Sequence, residues 1–133
     1  TSGNSSSVGT DFFEFGANST GYYQVFWGGG APLSVASVAV STNTWTHMAL
    51  VRETDNLCTI YMDGISRATF SKSGAIPSPS SPIRSFIGTQ SYSEGAGGRT
   101  VIGYLSDVRI TKGLARYTAA DESANIPSEA LKG

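Results

Sequence analysis

Short runs in which hydrophobic and polar residues alternate fill the first half of the chain, which is the pattern of β-strands. Two aromatic runs, DFFEF (11–15) and YYQVFW (22–27), are separated by the turn-forming sequence GANSTG. The next run, LSVASVAV (33–40), changes phase partway along, so we predict an irregular or bulged strand there.

The clearest local signal is a hairpin in the middle of the chain. The runs WTHMALVRE (45–53) and LCTIYMDGISRATF (57–70) both alternate, and the second contains Asp63-Gly64. That dipeptide favours a two-residue type I′ turn, because both of its central positions need a positive φ. Counting back from the turn places Thr59 and Tyr61 on one face. The opposite face carries Cys58, Ile60 and Met62, so we predict that Cys58 is a small core hydrophobe.

The second half of the chain is interrupted by longer connections. SKSGAIPSPSSP (71–82) carries three prolines and predicts a connection or an edge, and QSYSEGAGGR (90–99) predicts a long surface loop. Between and after them, IRSFIGT (83–89) and TVIGYLSDVRI (100–110) predict strands, the second with a β-bulge near Ser106-Asp107. No segment shows a sustained helical period. We therefore predict an all-β fold, a two-sheet antiparallel sandwich.

Composition narrows the classes of partner. The chain has 133 residues, which suits one domain, and only 14% of them are charged. The net charge of −1 gives no electrostatic case for binding nucleic acid or an anionic membrane. We also expect no membrane insertion, because no apolar run is long enough to span a bilayer.

Two blocks resemble a known family. WTHMALVRETDNLCTIYMDG (45–64) and FIGT…GYLSDVRITKGLARYT (86–118) are similar to the concanavalin A-like jelly roll, in its laminin-G-like/pentraxin-like branch. The form DVRITKGLARYT looks most like the laminin-G-like domains of bacteriophage tail and virion proteins. The resemblance implies that the turn after the last strand packs over the sandwich, with Leu114 and Tyr117 as anchors and Lys112 and Arg116 solvated.

The chain departs from this resemblance at both ends. Strands expected before DFFEF are missing, so we expect a jelly roll that lacks N-terminal strands. Either the upstream part of a longer polypeptide or a neighbouring subunit would complete it. The expected organisation is a linker at 1–10, a laminin-G-like sandwich at 11–118 and a C-terminal tail at 119–133.

Catalysis is not expected. Glycoside hydrolysis needs two carboxylates that flank one bond, and glucanases of this fold resemble each other in clustering carboxylates on one strand. No such run occurs here, and Glu14, Glu53, Asp55, Asp63 and Asp107 are scattered singly. His47 is the only histidine and is predicted to pack or hydrogen-bond within its strand. A Cys58–His47 pair on adjacent strands is conceivable, but no orienting group accompanies it.

Binding sites remain open as alternatives. Sugars stack on exposed aromatic rings, so the candidate carbohydrate contacts are Tyr22, Trp27, Tyr92 and Arg99, with Tyr92 in the long loop as the leading one. Trp45 is assigned to packing. The resemblance also implies calcium at the sandwich rim, with Asp11, Asn18 and Asp107 as candidate oxygen ligands.

These features together predict a non-catalytic structural and adhesive module on the exterior of a phage particle or fibre, located on a virion or outside a cell. Its expected partners are neighbouring subunits and surface glycans. The alternative is a secreted carbohydrate-binding module of a hydrolase or an adhesin.

Overall fold

The computed structural model describes residues 13–27, 32–76, 87–90, 99–117 and 126. Six strands form two antiparallel three-stranded sheets, and a short pair forms a third. The first sheet contains β1 (Phe13–Ala17), β2 (Tyr22–Trp27) and β3 (Ser34–Ala39) in that order. The second contains β4 (Met48–Arg52), β5 (Leu57–Met62) and β6 (Ile65–Ser71), and the third pairs β7 (Thr89–Gln90) with β8 (Arg99–Thr100). The predicted all-β sandwich is confirmed. No helix able to cross a membrane occurs in these ranges.

The β1–β2 hairpin is closed by the side chain of Asn18. Its Oδ1 accepts hydrogen bonds from the backbone N–H of Thr20 (3.0 Å), the hydroxyl of Thr20 (2.8 Å) and the backbone N–H of Tyr22 (3.0 Å). An asparagine that bonds its own downstream backbone is a common turn former. The turn therefore fixes the register that sets Phe13 opposite Trp27.

The predicted irregularity in the third strand is confirmed. The pairing of β2 with β3 shifts between Tyr22, which lies opposite Ala39, and Gln24, which lies opposite Val35. The shift turns Ala36 into the core, whereas Val35 and Val38 are exposed.

The central hairpin turns at Asp63-Gly64 as predicted. Both residues have positive φ values, 49° and 78°, as a type I′ turn requires. The turn is tied to the residue before β4 by two hydrogen bonds. The N–H of His47 donates to Asp63 Oδ1 (2.8 Å), and the N–H of Asp63 donates to the carbonyl of His47 (2.9 Å).

The main core lies between the two sheets. It is formed by buried residues of both, namely Val25, Ala36, Ile60 and Met62. Cys58 is fully buried, which confirms its predicted core position. The other face of β5 is buried too, because Tyr61 packs with Ala49 and Val51 of β4 and with Tyr117. Strand β5 is thus covered on both faces, which agrees with its nearly continuous apolar sequence.

Arg52 links the two sheets. Its guanidinium lies 5.2 Å from the centre of the Trp27 ring, and its Nη1 donates to the carbonyl of Gly74 (2.7 Å). Its Nη2 donates to Asn56 Oδ1. The indole N–H of Trp27 donates to the carbonyl of Ala75 (3.1 Å). One cation and one indole therefore hold the segment after β6 against both sheets.

The predicted last strand is wrong over most of its length. Only Thr100 belongs to a strand, and residues 101–110 form none. Since no ladder exists there, the predicted bulge at Ser106-Asp107 is absent as well, although Asp107 has a positive φ of 52°. Of the predicted strand 83–89, residues 83–86 lie outside the described residues, and Thr89 belongs to β7.

Candidate functional site

The predicted carbohydrate contacts do not form one surface in the described part of the chain. Tyr92 lies outside the described residues. Arg99 lies in β8 opposite Gln90. Tyr22, the first residue of β2, is 37% exposed and so presents part of its ring to solvent.

Trp27 does not serve as a stacking surface in this structure. It is only 4% exposed, with Phe13 packed edge-on against it at 5.4 Å and Arg52 above its face. The assignment of Trp27 to sugar contact is corrected on that ground: a buried ring has no face to offer a ligand.

Trp45, in contrast to Trp27, is exposed although packing was predicted for it. It is assigned to packing from sequence, but it is 70% exposed. It stands in a polar segment, STNTWT (41–46), that connects β3 to β4. The polar neighbours were the available signal, because a tryptophan flanked by threonines has no apolar strand neighbours to pack with. Trp45 is thus an exposed aromatic that sequence reasoning missed.

His47 and Tyr117 meet on the outer face of the second sheet. Their rings pack edge to face at 5.5 Å, and His47 Nε2 lies 3.3 Å from the Tyr117 hydroxyl. His47 Nδ1 is buried without a hydrogen-bond partner among the described residues. Burial lowers the pKa of His47, while the charge of Asp63 acts in the raising direction. The structural role predicted for His47 and the anchoring role of Tyr117 are confirmed; Leu114 is 60% exposed and does not anchor.

Cys58 and His47 are not brought together. Cys58 lies opposite Arg52, whereas His47 is bonded to Asp63 at the other end of the hairpin. Burial raises the pKa of the Cys58 thiol, Arg52 lowers it and Asp55 raises it further. A buried thiol with a raised pKa is a poor nucleophile.

Two of the described carboxylates support turns. Asp55 accepts a hydrogen bond from the N–H of Leu57 (3.0 Å), and Asp63 accepts one from His47. Each of these two carboxylates therefore stabilises the backbone of a turn.

The calcium candidates fit poorly where the structure describes them. All three hydrogen bonds received by Asn18 Oδ1 would have to be rearranged before that oxygen could bind a cation. Asp107 Oδ2 accepts from the Ser106 hydroxyl (3.1 Å). Within the described ranges, no group of three or more His, Cys, Asp and Glu side chains could hold a metal. Asp11 lies outside those ranges. The described residues therefore do not supply a carboxylate-rich calcium site.

Comparison with known protein families identifies a relationship over most of the chain. A laminin-G family model, described as the concanavalin A-like lectin/glucanases superfamily, matches residues 1–115. No curated protein and no solved structure matches the chain significantly.

Proposed function

Because the chain belongs to the concanavalin A-like lectin/glucanase superfamily, we propose that it is a non-catalytic structural and adhesive module on the exterior of a bacteriophage particle or fibre. There it contacts neighbouring subunits, or the upstream part of its own polypeptide, and binds surface glycans. The bacteriophage setting rests on the resemblance of DVRITKGLARYT (107–118) to the laminin-G-like domains of bacteriophage tail and virion proteins.

One observation carries the structural part of this proposal. Between residues 101 and 114, large apolar side chains are exposed in succession, among them Ile102, Tyr104 and Ile110. Large exposed apolar surface marks interaction sites in soluble proteins. The segment is held at both ends, by the hydrogen bond from Val101 N–H to the Gly88 carbonyl (2.8 Å) and by Tyr117. It is thus presented to a neighbour from a fixed base.

The adhesive part is supported by the superfamily and by an exposed aromatic ring of the first sheet. Sugars are recognised by aromatic rings together with a few oriented polar groups. Tyr22 offers a partly exposed ring beside the turn made by Asn18 and Thr20. Tyr92 and Arg99 remain predicted contacts.

Sedimentation of the native material, with mass spectrometry across the gradient, tests the particle assignment. We expect peptides of this chain to migrate with intact particles. Recovery in the soluble fractions alone would overturn the particle assignment and favour a secreted carbohydrate-binding module.

A glycan array tests adhesion, with calcium present and with a chelator added. We expect binding that the chelator does not abolish, because the described residues lack a carboxylate-rich calcium site. The bound glycan is then incubated with the protein and assayed for new reducing ends. Their appearance would overturn the non-catalytic assignment.

A further inference from the structure

Trp45 is an open aromatic platform in the segment that connects β3 to β4. It is 70% exposed, whereas Trp27, the other tryptophan of the chain, is buried. We propose that Trp45 and the polar side chains preceding it form the binding site for an uncharged sugar ring. This inference rests on the glycan binding proposed above and gives it a location and a ligand class.

The base of the platform is rigid. Two residues after Trp45, His47 is fixed by two backbone hydrogen bonds to the Asp63 turn. On the other side, Asn43 adopts a positive φ of 58° in a tight turn, and the Thr44 hydroxyl donates to the carbonyl of Thr42 (3.4 Å). A ring held between two turns loses little conformational freedom on binding, which favours affinity.

The chemistry around the ring suits a sugar. The apolar face of a pyranose consists of C–H groups that stack on an indole, while its hydroxyls need donors and acceptors at the rim. The segment before Trp45 supplies hydroxyl and amide groups from exposed residues, namely Ser41, Thr42, Asn43 and Thr44.

The charge pattern selects an uncharged ring. Residues 15–51 contain no Lys, Arg, Asp or Glu. The carboxylate tied to this loop is that of Asp63, through the His47 N–H. An anionic sugar would therefore find no cation from this stretch and would meet a negative charge at its base. Sialylated or uronic-acid glycans are disfavoured here for that reason.

The experiment follows binding through tryptophan emission. The probes are mannose-, glucose- and galactose-terminated glycans that the wild-type chain captures on an array. Stacking on Trp45 should shift the emission, because this ring is the exposed fluorophore. In Trp45→Phe the shift should vanish, since only the buried Trp27 remains, while part of the affinity is kept by the phenyl ring.

The decisive variant is Trp45→Ala, which we expect to weaken binding at least about tenfold. Because the side chain is exposed, the urea midpoint should stay at the wild-type value. Leu33→Ala is the matched control, since Leu33 is an exposed apolar residue of the same charge-free stretch. It should leave the affinity unchanged.

The experiment distinguishes failure of the proposed adhesive function from failure of the Trp45 site. If the wild type captures no glycan at all, the adhesive function itself is overturned. If it captures uncharged glycans and Trp45→Ala binds as tightly as the wild type, the Trp45 site is overturned while adhesion stands. A loss seen instead in Tyr22→Ala would place the site on β2. Capture of anionic glycans alone would overturn the ligand class.

Discussion

His47 is the only histidine of the chain, so stability changes near pH 6 report on it with little interference. Its pKa is lowered in the folded protein, chiefly by burial. The unfolded chain, with a histidine pKa of about 6.5, then binds the proton more readily than the folded chain. The contribution of His47 to stability is therefore fully present above about pH 6.5. It is lost as the pH falls through the lowered folded pKa.

We predict that the free energy of unfolding, measured in urea, decreases from pH 7.5 to pH 5.5. His47→Gln should flatten this slope, because glutamine does not titrate. Equal slopes in both proteins would show that His47 is not the group responsible.

Arg52 offers a second prediction at this scale. Arg52→Met keeps the aliphatic stem but removes the bonds to Gly74 and Asn56 and the contact with the Trp27 ring. We expect a loss of about 2 kcal/mol, since hydrogen bonds to charged groups contribute roughly 1.5–3 kcal/mol and Arg52 is only half-buried. Lys112→Ala, at an exposed position, is the control and should change little. A chemical-denaturation midpoint equal to that of the wild type would contradict the linking role.

The two tryptophans show the limit of sequence reasoning for single residues. The polar neighbours of Trp45 were a signal of its exposure, but the alternation around Trp27 did not show that its ring is covered. Besides Phe13 of the neighbouring β1, Trp27 is covered by groups from β4 and from the segment after β6, far away in sequence. Burial of a side chain is decided by such tertiary contacts, so Trp27 and Trp45 were assigned the wrong way round. Cys58 was placed correctly because strand alternation, which is local, settled it.

At the level of elements, the turn at Asp63 combines two properties that substitution can separate. Asp63 tolerates a positive φ, and its carboxylate receives the His47 N–H. Asp63→Asn keeps both, because asparagine adopts this conformation and its amide oxygen accepts hydrogen bonds. Asp63→Gly keeps only the first, and Asp63→Ala keeps neither.

We therefore expect thermal stability to fall in the order Asn, Gly, Ala. The alanine variant should lose about 2 kcal/mol, from backbone strain of about 1 kcal/mol and one hydrogen bond of similar size. Differential scanning calorimetry of the three variants measures their thermal stability. If the glycine variant were as unstable as the alanine variant, backbone strain would contribute nothing.

The same hairpin explains why some elements were predictable and others were not. The Asp63-Gly64 hairpin needs only neighbouring residues, and the turn sets its register as far as Tyr61 opposite Ser66, after which the pairing shifts by one residue. Residues 101–110 have the composition of a strand, but a strand forms only where another chain segment offers a ladder of hydrogen bonds. Sequence alternation predicts the capacity to pair and not the presence of a partner.

At the scale of the whole molecule, the exposed segment should govern association. We predict that the wild type sediments in a concentration-dependent manner and binds a hydrophobic dye. The double variant Ile102→Ser, Ile110→Ser should lose both properties. Its free energy of unfolding should stay within about 0.5 kcal/mol of the wild type, because both side chains are exposed.

Ile76→Ser serves as the control, because Ile76 is exposed but lies after β6 and outside the segment. Association that persists unchanged in the double variant would argue that another surface joins the subunits.

The burial of Cys58 determines how the protein responds to oxidants and thiol reagents. The only thiol of the chain lies inside the sandwich with no exposed area. Oxidants reach a thiol through its exposed, ionised form. The folded protein should therefore behave identically under reducing and oxidising conditions, without crosslinked dimers or sulfenic acid. A thiol reagent such as Ellman's reagent should react only as fast as the sandwich opens. The reaction rate therefore measures the rate of that opening.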